Sequence, residues 1–182
     1  MNRLFIALKI PDEIRKKIII LRNETCPNFR KFKWESEDKI HLTLKFIGEV
    51  KEDLTAQIAD HISFVENYKK FNCSLTKFGF FYKQNIPRIL WIGLSIDNQI
   101  IELVDQLDYE LEKFSIPSEK RKFQAHLTLK RMKGDEGKNF IECFDKLTIP
   151  KIEFEAGQIV LMKSDLLPTG SKYSEIKSYF LK

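Results

Sequence analysis

Two identical pentapeptides are the parts of this chain best suited to chemistry: His41-Leu42-Thr43-Leu44-Lys45 and His126-Leu127-Thr128-Leu129-Lys130. The chain holds three histidines, and two of them occupy the same place in these repeats. Each repeat alternates polar and apolar residues, the pattern of a half-buried strand. In a strand, residues i and i+2 share a face. Each histidine and its threonine therefore point one way, and the leucines point the other, into a core. Two such strands brought together would present two imidazoles and two hydroxyls to one space.

Paired imidazoles suit the movement of a proton on and off a phosphate ester near neutral pH. The reference pKa is about 6.5, so one ring can start neutral as base and the other charged as acid. Threonine hydroxyls can hydrogen-bond non-bridging phosphate oxygens. No metal is needed if the substrate is already activated, as a strained five-membered cyclic phosphate is. A metal site is the rival reading of His41 and His126, but neither motif carries the carboxylate or thiolate that a third ligand requires. His61 lies outside both motifs, in a helical segment, and reads as an ordinary helix residue.

The elements that must position these residues follow from periodicity and punctuation. Residues 3–10 read as a strand. Pro11-Asp12-Glu13 reads as a helix start, with acids beside the positive end of the dipole, and the helix over 12–23 carries Ile14, Ile18 and Leu21 on one stripe. The first motif strand spans 40–47, with Gly48 ending it. A long helix over 52–68 follows, with Leu54, Ile58, Ile62 and Val65 at helical spacing. Two β-like runs, 71–81 and 88–96, flank Lys83-Gln84-Asn85-Ile86-Pro87. The plan then restarts: a helix over 98–114 with Ile101, Val104, Leu107 and Leu111 on one face, the second motif strand over 123–130, a helix over 138–147, a β-rich run over 149–162 and a last strand over 173–181. Each half offers strands, two helices and one His-x-Thr strand. That is a pseudo-duplicated α+β plan with the site expected between the halves.

The 182 residues suit one domain or a compact two-lobed one, and 43% hydrophobic content with 15 Phe supplies a sizeable core. The net charge of +5 leans only weakly toward an anionic partner such as RNA or a nucleotide, because basic and acidic residues are interspersed. Cys26, Cys73 and Cys143 are odd in number and widely spaced, so buried reduced thiols in a cytoplasmic protein are expected. The apolar run near the N-terminus is too short for a signal peptide, and no stretch reaches the roughly 20 apolar residues of a membrane span.

The paired motifs resemble those of the two-histidine (2H) phosphoesterases, whose signature is His-x-Thr/Ser-x occurring twice. The resemblance runs nearly end to end. Arg3-Leu4-Phe5-Ile6-Ala7-Leu8 followed by Pro11 is similar to the start of the RNA 2′,3′-cyclic phosphodiesterases, historically called 2′-5′ RNA ligases. So are Trp34 ahead of the first motif, Phe46-Ile47-Gly48-Glu49 after it, and Arg88-Ile89-Leu90-Trp91. The second motif fits the same subgroup, except that many members carry Pro where this chain has Ala125. Leu161-Met162-Lys163-Ser164, Gly170 and Tyr173 also fit.

The resemblance implies a single bilobal catalytic domain over 1–182, with two antiparallel sheets flanked by helices and the active site in the cleft between lobes. It implies metal-independent hydrolysis of RNA 2′,3′-cyclic phosphate ends to a 2′-phosphate, with reversible 2′-5′ joining as a related reaction. The protein is expected to need no cofactor and to act as a monomer. His41 is then the acid that protonates the departing 3′ oxygen, and His126 is the base that activates water. Thr43 and Thr128 hold the phosphate, and Arg131 neutralises its charge through a forked contact. By strand parity Lys45 and Lys130 share the histidine face, as substrate contacts or as solvated rim charges, while Phe46 falls on the leucine face and into the core. Trp34 is open to base stacking or core packing. Two other functions compete: a 2H enzyme acting on a small cyclic nucleotide ester or a 2′-5′ oligonucleotide, and a module that binds a nucleotide or RNA without turnover.

Overall fold

The computed structural model describes residues 1–182 apart from Arg30, Asp135, Lys146 and Thr169. Eight strands form one curled antiparallel sheet: β1 (Asn2–Lys9), β2 (His41–Val50), β3 (Phe71–Lys83), β4 (Ile86–Ile96), β5 (His126–Arg131), β6 (Glu153–Ala156), β7 (Gln158–Leu167) and β8 (Gly170–Phe180). Their order across the sheet is β6-β3-β4-β5-β2-β1-β7-β8. The two motif strands, β2 and β5, meet at the centre. Here the expectation of two sheets is corrected. The strands bridge at Leu42 and Leu127, which makes one continuous sheet. Pairing them removes the two open edges that separate sheets would leave beside the motifs.

The halves of the sheet are not the halves of the chain. β2 stands with β1 from the chain's start and with β7 and β8 from its end, whereas β5 stands with β4 and β3 from its middle and with β6, which directly precedes β7 in sequence. Among the described residues, four α-helices accompany the sheet: α1 (Asp12–Thr25), α2 (Glu52–His61), α3 (Gln99–Glu112) and α4 (Gly137–Asp145). α3 packs on β2 and α4 on β3. The Tyr179 hydroxyl of β8 donates to the Ala59 carbonyl of α2 over 2.6 Å.

Local sequence explains most boundaries. Pro11 precedes α1, Asp12 and Glu13 fill its first turn, and Ile14 and Ile18 are buried. The segment expected as one helix over 52–68 leaves α-geometry at His61 and continues as a 3-10 turn over Ile62–Asn67. Ile62 and Val65 stay on the buried side because that helix repeats every three residues. The buried stripe of α3 is Ile100, Leu103, Val104, Leu107 and Leu111, and Ile101 faces outward. α4 runs from Gly137, and Lys146, within its expected span, lies outside the described residues. Gln84 and Asn85 both have positive φ, 52° and 61°, the two-residue turn whose twist suits a hairpin. Gly48 does not end β2. At φ +84° it follows an unpaired Ile47, and the strand runs on to Val50.

One large core lies on the leucine face of the sheet, where Leu42, Leu44, Leu127 and Leu129 are buried. A smaller apolar cluster of Phe5, Ala7, Val160 and Met162, with Tyr173 against it, lies on the other face. The cysteine expectation is also corrected. Cys26 at the end of α1 and Cys143 in α4 are disulfide-bonded, and only Cys73 is a free, buried thiol, its pKa pushed up to about 12 by burial and by Asp97. No described helix is long and apolar enough to cross a membrane.

Candidate active site

The seam between β2 and β5 gathers the two motifs. Leu42 pairs with Leu127, and one step either side antiparallel order sets His41 across from Thr128 and Thr43 across from His126. All four side chains leave the sheet on the face opposite the leucines. His41 and His126 are then diagonal neighbours, about 7–8 Å apart at the backbone. That spacing can accommodate one phosphate between the two rings.

Beyond the threonines both strands depart from simple alternation. In β2, Ile6 pairs with Lys45 and Ala7 with Thr43, leaving Leu44 as an extra residue. In β5, Leu90 pairs with Lys130 and Trp91 with Thr128, leaving Leu129 extra. The same β-bulge therefore sits at the same place in both repeats, and it reverses the parity of the residues that follow it, in β2 as far as the second irregularity at Ile47. Lys45 and Lys130 turn to the core side, each only 4% exposed. Lys45 pairs with Asp108 and donates to the Pro117 carbonyl over 2.7 Å. Lys130 pairs with Glu136 at 3.1 Å, donates to the Lys33 carbonyl over 3.2 Å, and lies over the Phe32 ring. The expectation that these lysines face the histidines is thus overturned: both are buried structural ion pairs. The next residue in each repeat takes the histidine face instead. Phe46, expected in the core, is 63% exposed, and the Arg131 side chain is 60% exposed.

Each histidine is held twice. The Nδ1 of His126 lies 2.7 Å from the Gln124 carbonyl oxygen. A carbonyl only accepts, so Nδ1 carries the hydrogen and a neutral ring leaves Nε2 free as a base. The Lys39 carbonyl, again two residues back, acts on the His41 ring in the same sense and favours its protonated form. Aromatic rings fix the other degrees of freedom. Phe5 stacks on His41 at 5.0 Å and Tyr173 meets its edge at 5.6 Å. Phe81 packs edge-on against His126 at 4.7 Å, backed by Trp91. The Trp91 ring lies flat along the sheet because Gly79 beneath it has no side chain: a Cβ there would stand 2.3 Å from the indole.

Burial lowers both imidazole pKa values. His41 falls to about 4, first through desolvation, then through the positive charge of Arg131 and the neighbouring His126, while the Lys39 carbonyl opposes the shift. His126 is lowered by desolvation against the opposing pull of the Gln124 carbonyl. Both shifts favour the neutral ring in the free protein. Arg131 shares Glu35 at 3.4 Å with Lys39 at 3.9 Å. Trp34 packs against Phe140 and Phe144 and donates its indole N–H to the Phe29 carbonyl, a role inside the fold. His61 pairs with Glu110 between α2 and α3, outside both motifs. Among the described residues, no three His, Cys, Asp or Glu side chains cluster closely enough to hold a metal ion.

Sequence reasoning missed the aromatic supports. Phe5 had a signal, since alternation in β1 separates it from Leu4 and Ile6. Phe81 and Tyr173 sit on hairpins whose register only the folded sheet reveals.

The architecture and the doubled motif define a phosphoesterase class. The family model of the LigT-like phosphoesterases matches this chain twice, over residues 8–91 and 92–173, with one His-x-Thr motif in each match. The RNA 2′,3′-cyclic phosphodiesterase of Thermotoga maritima is 31% identical over 174 residues, covering 94% of this chain and 91% of that protein. That of Methanocaldococcus jannaschii is 31% identical over 179 residues, covering 97% and 99%. The chain belongs to the LigT-like phosphoesterases and, within them, to the RNA 2′,3′-cyclic phosphodiesterase family. Solved structures share its fold. A Thermus thermophilus protein superposes with a TM-score of 0.79 at 24% identity, covering 98% of this chain and 97% of its own. Escherichia coli LigT complexed with 3′-AMP does so with 0.77 at 24%, covering 100% and 98%.

Proposed function

We propose that this protein hydrolyses RNA ends carrying a 2′,3′-cyclic phosphate to 2′-phosphate ends, without a metal, in the cleft along the β2–β5 seam. The observation that supports this reading is the register of the two motif strands at Leu42 and Leu127, from which two imidazoles and two threonines on one face follow. Membership of a family whose curated relatives are named for this activity supports it.

The step balances on four groups. Nε2 of neutral His126 takes a proton from water as the water oxygen forms a bond to phosphorus. The bond from phosphorus to the 3′ oxygen breaks, and protonated His41 gives that oxygen its proton. The products are a 2′-phosphate and a 3′-hydroxyl, and proton exchange with solvent resets the pair. Thr43 and Thr128 donate to the non-bridging oxygens, where charge builds up in the transition state. Arg131 can turn from Glu35 toward that charge. Phe46, an exposed ring on the same face, offers a surface on which a base can stack. A 5′-hydroxyl in place of water would give a 2′-5′ linkage through the same proton transfers.

The test is turnover of an oligonucleotide with a 2′,3′-cyclic phosphate end in the presence of EDTA, with the phosphate position of the product identified. A 2′-phosphate is expected. A 3′-phosphate would mean that the other ester bond breaks, and absence of turnover would refute the assignment.

A further inference from the structure

With Lys45 and Lys130 buried, the cations available to a polyanion must lie elsewhere. Three basic side chains beside the motifs are partnered: Lys9 with Glu175 at 2.6 Å, and Arg131 and Lys39 with Glu35. One segment differs. Lys120, Arg121 and Lys122 are consecutive and exposed, and their side chains make no ion pair or hydrogen bond with a described residue.

Their position is set by the fold. Pro117 accepts from the Lys45 ammonium, and residues 114–117 share a depression with Ile47 and Val50 of β2. From there the chain returns to Gln124, whose carbonyl tethers His126, and enters β5. Because β2 and β5 run antiparallel, the residues just before His126 lie toward the end of the seam at which Phe46 projects, and the basic run reaches that end from the α3 side, where the Glu119 N–H donates to Asp108 over 3.0 Å. The opposite end of the seam, at Arg131, is the end with Glu35.

We infer that Lys120, Arg121 and Lys122 bind the phosphate backbone of the RNA strand leading to the reacting end, so that the strand leaves the seam past Phe46. The inference rests on the cyclic phosphodiesterase reading and adds a binding surface to it. A basic run and a stacking ring at the same end of a site together suit a single strand held without reading its sequence. Three neutralised phosphates on a single strand give a log–log salt slope of about −2, or roughly a 15-fold loss of affinity between 50 and 200 mM salt.

The experiment compares wild type with Lys120→Gln/Arg121→Gln/Lys122→Gln, and with a control of equal charge, Lys69→Gln/Lys70→Gln/Lys151→Gln. Each is given a 2′,3′-cyclic mononucleotide and a ten-residue oligonucleotide with the same end. Binding of the oligonucleotide is also followed by fluorescence anisotropy. For the loop variant, kcat/KM on the oligonucleotide should fall about tenfold at low salt and become nearly independent of salt, while the mononucleotide stays within twofold. The control should match wild type. Equal loss on both substrates, or an oligonucleotide with unchanged KM, anisotropy and salt slope, overturns the inference. If wild type turns over neither substrate, the active-site reading fails, and the anisotropy arm still decides whether the loop binds RNA.

Discussion

The depressed imidazole pKa values make a quantitative demand on the pH profile. Productive enzyme needs one proton on the His41–His126 pair. With His41 at about 4, roughly one free molecule in a thousand carries that proton on His41 at pH 7. His126 also lies below the ordinary histidine value. Both depressed groups favour the neutral form, so the singly protonated pair disappears as pH rises, starting below 6.5. A bound phosphodiester reverses this. One negative charge about 4 Å from an imidazolium is worth about 4 kcal/mol at an effective dielectric of 20, equivalent to about three pKa units. In the complex the pair should therefore titrate near neutrality. Rates on a cyclic mononucleotide, whose diester does not titrate in this range, should be measured from about pH 4 to 9. The descending limb of kcat/KM should lie on the acid side of 6.5, and that of kcat about two to three units higher. Arg131→Gln should move the kcat/KM limb toward neutral pH, because the Arg131 charge is one cause of the depression. Superimposed kcat and kcat/KM profiles with a limb at or above pH 7 would refute both the desolvated pair and its rescue by substrate charge.

Four further outcomes are expected. His41→Ala and His126→Ala should each cut kcat by about 10²–10⁴-fold, with the double variant little worse than the worse single one, whereas His61→Ala should stay near wild type in the same assay. Lys45→Met and Lys130→Met should each lower stability by about 3 kcal/mol in denaturant titrations, because each strands a buried acid, while KM of the folded enzyme changes less than twofold. A several-fold rise in KM without a change in midpoint would return these lysines to the substrate. Gly79→Ala should cost about 1–3 kcal/mol by displacing the Trp91 ring, and should lower kcat through Phe81 and His126. Turnover should survive chelation; loss in EDTA with recovery on zinc or magnesium would move the chemistry to a metal.

The strand identity of both motifs, the shared face of each His and Thr, and the helix starts were legible because they depend on local periodicity. The bulge was not, because it exists only relative to a partner. Nothing in His-Leu-Thr-Leu-Lys marks the second leucine as the residue that β1 or β4 skips. Since the repeat is exact, the parity argument failed in the same way twice, and agreement between the copies lent it false support. The acids that hold the lysines were equally hidden: Asp108 lies in a helix remote in sequence from Lys45, and Glu136 lies beyond the end of β5. The Cys26–Cys143 bond likewise joins two helices that only the folded sheet brings together. Yet the bulge is what makes the site more than a symmetric pair. It carries the residue five places after each histidine onto the histidine face, and the repeats stop being identical at that position. One copy supplies Phe46, the other Arg131. An otherwise symmetric seam thus has an aromatic end and a cationic end. On the proposed reading, that polarity lets two equivalent imidazoles take different parts, with the 3′ oxygen always presented to His41 and the water to His126.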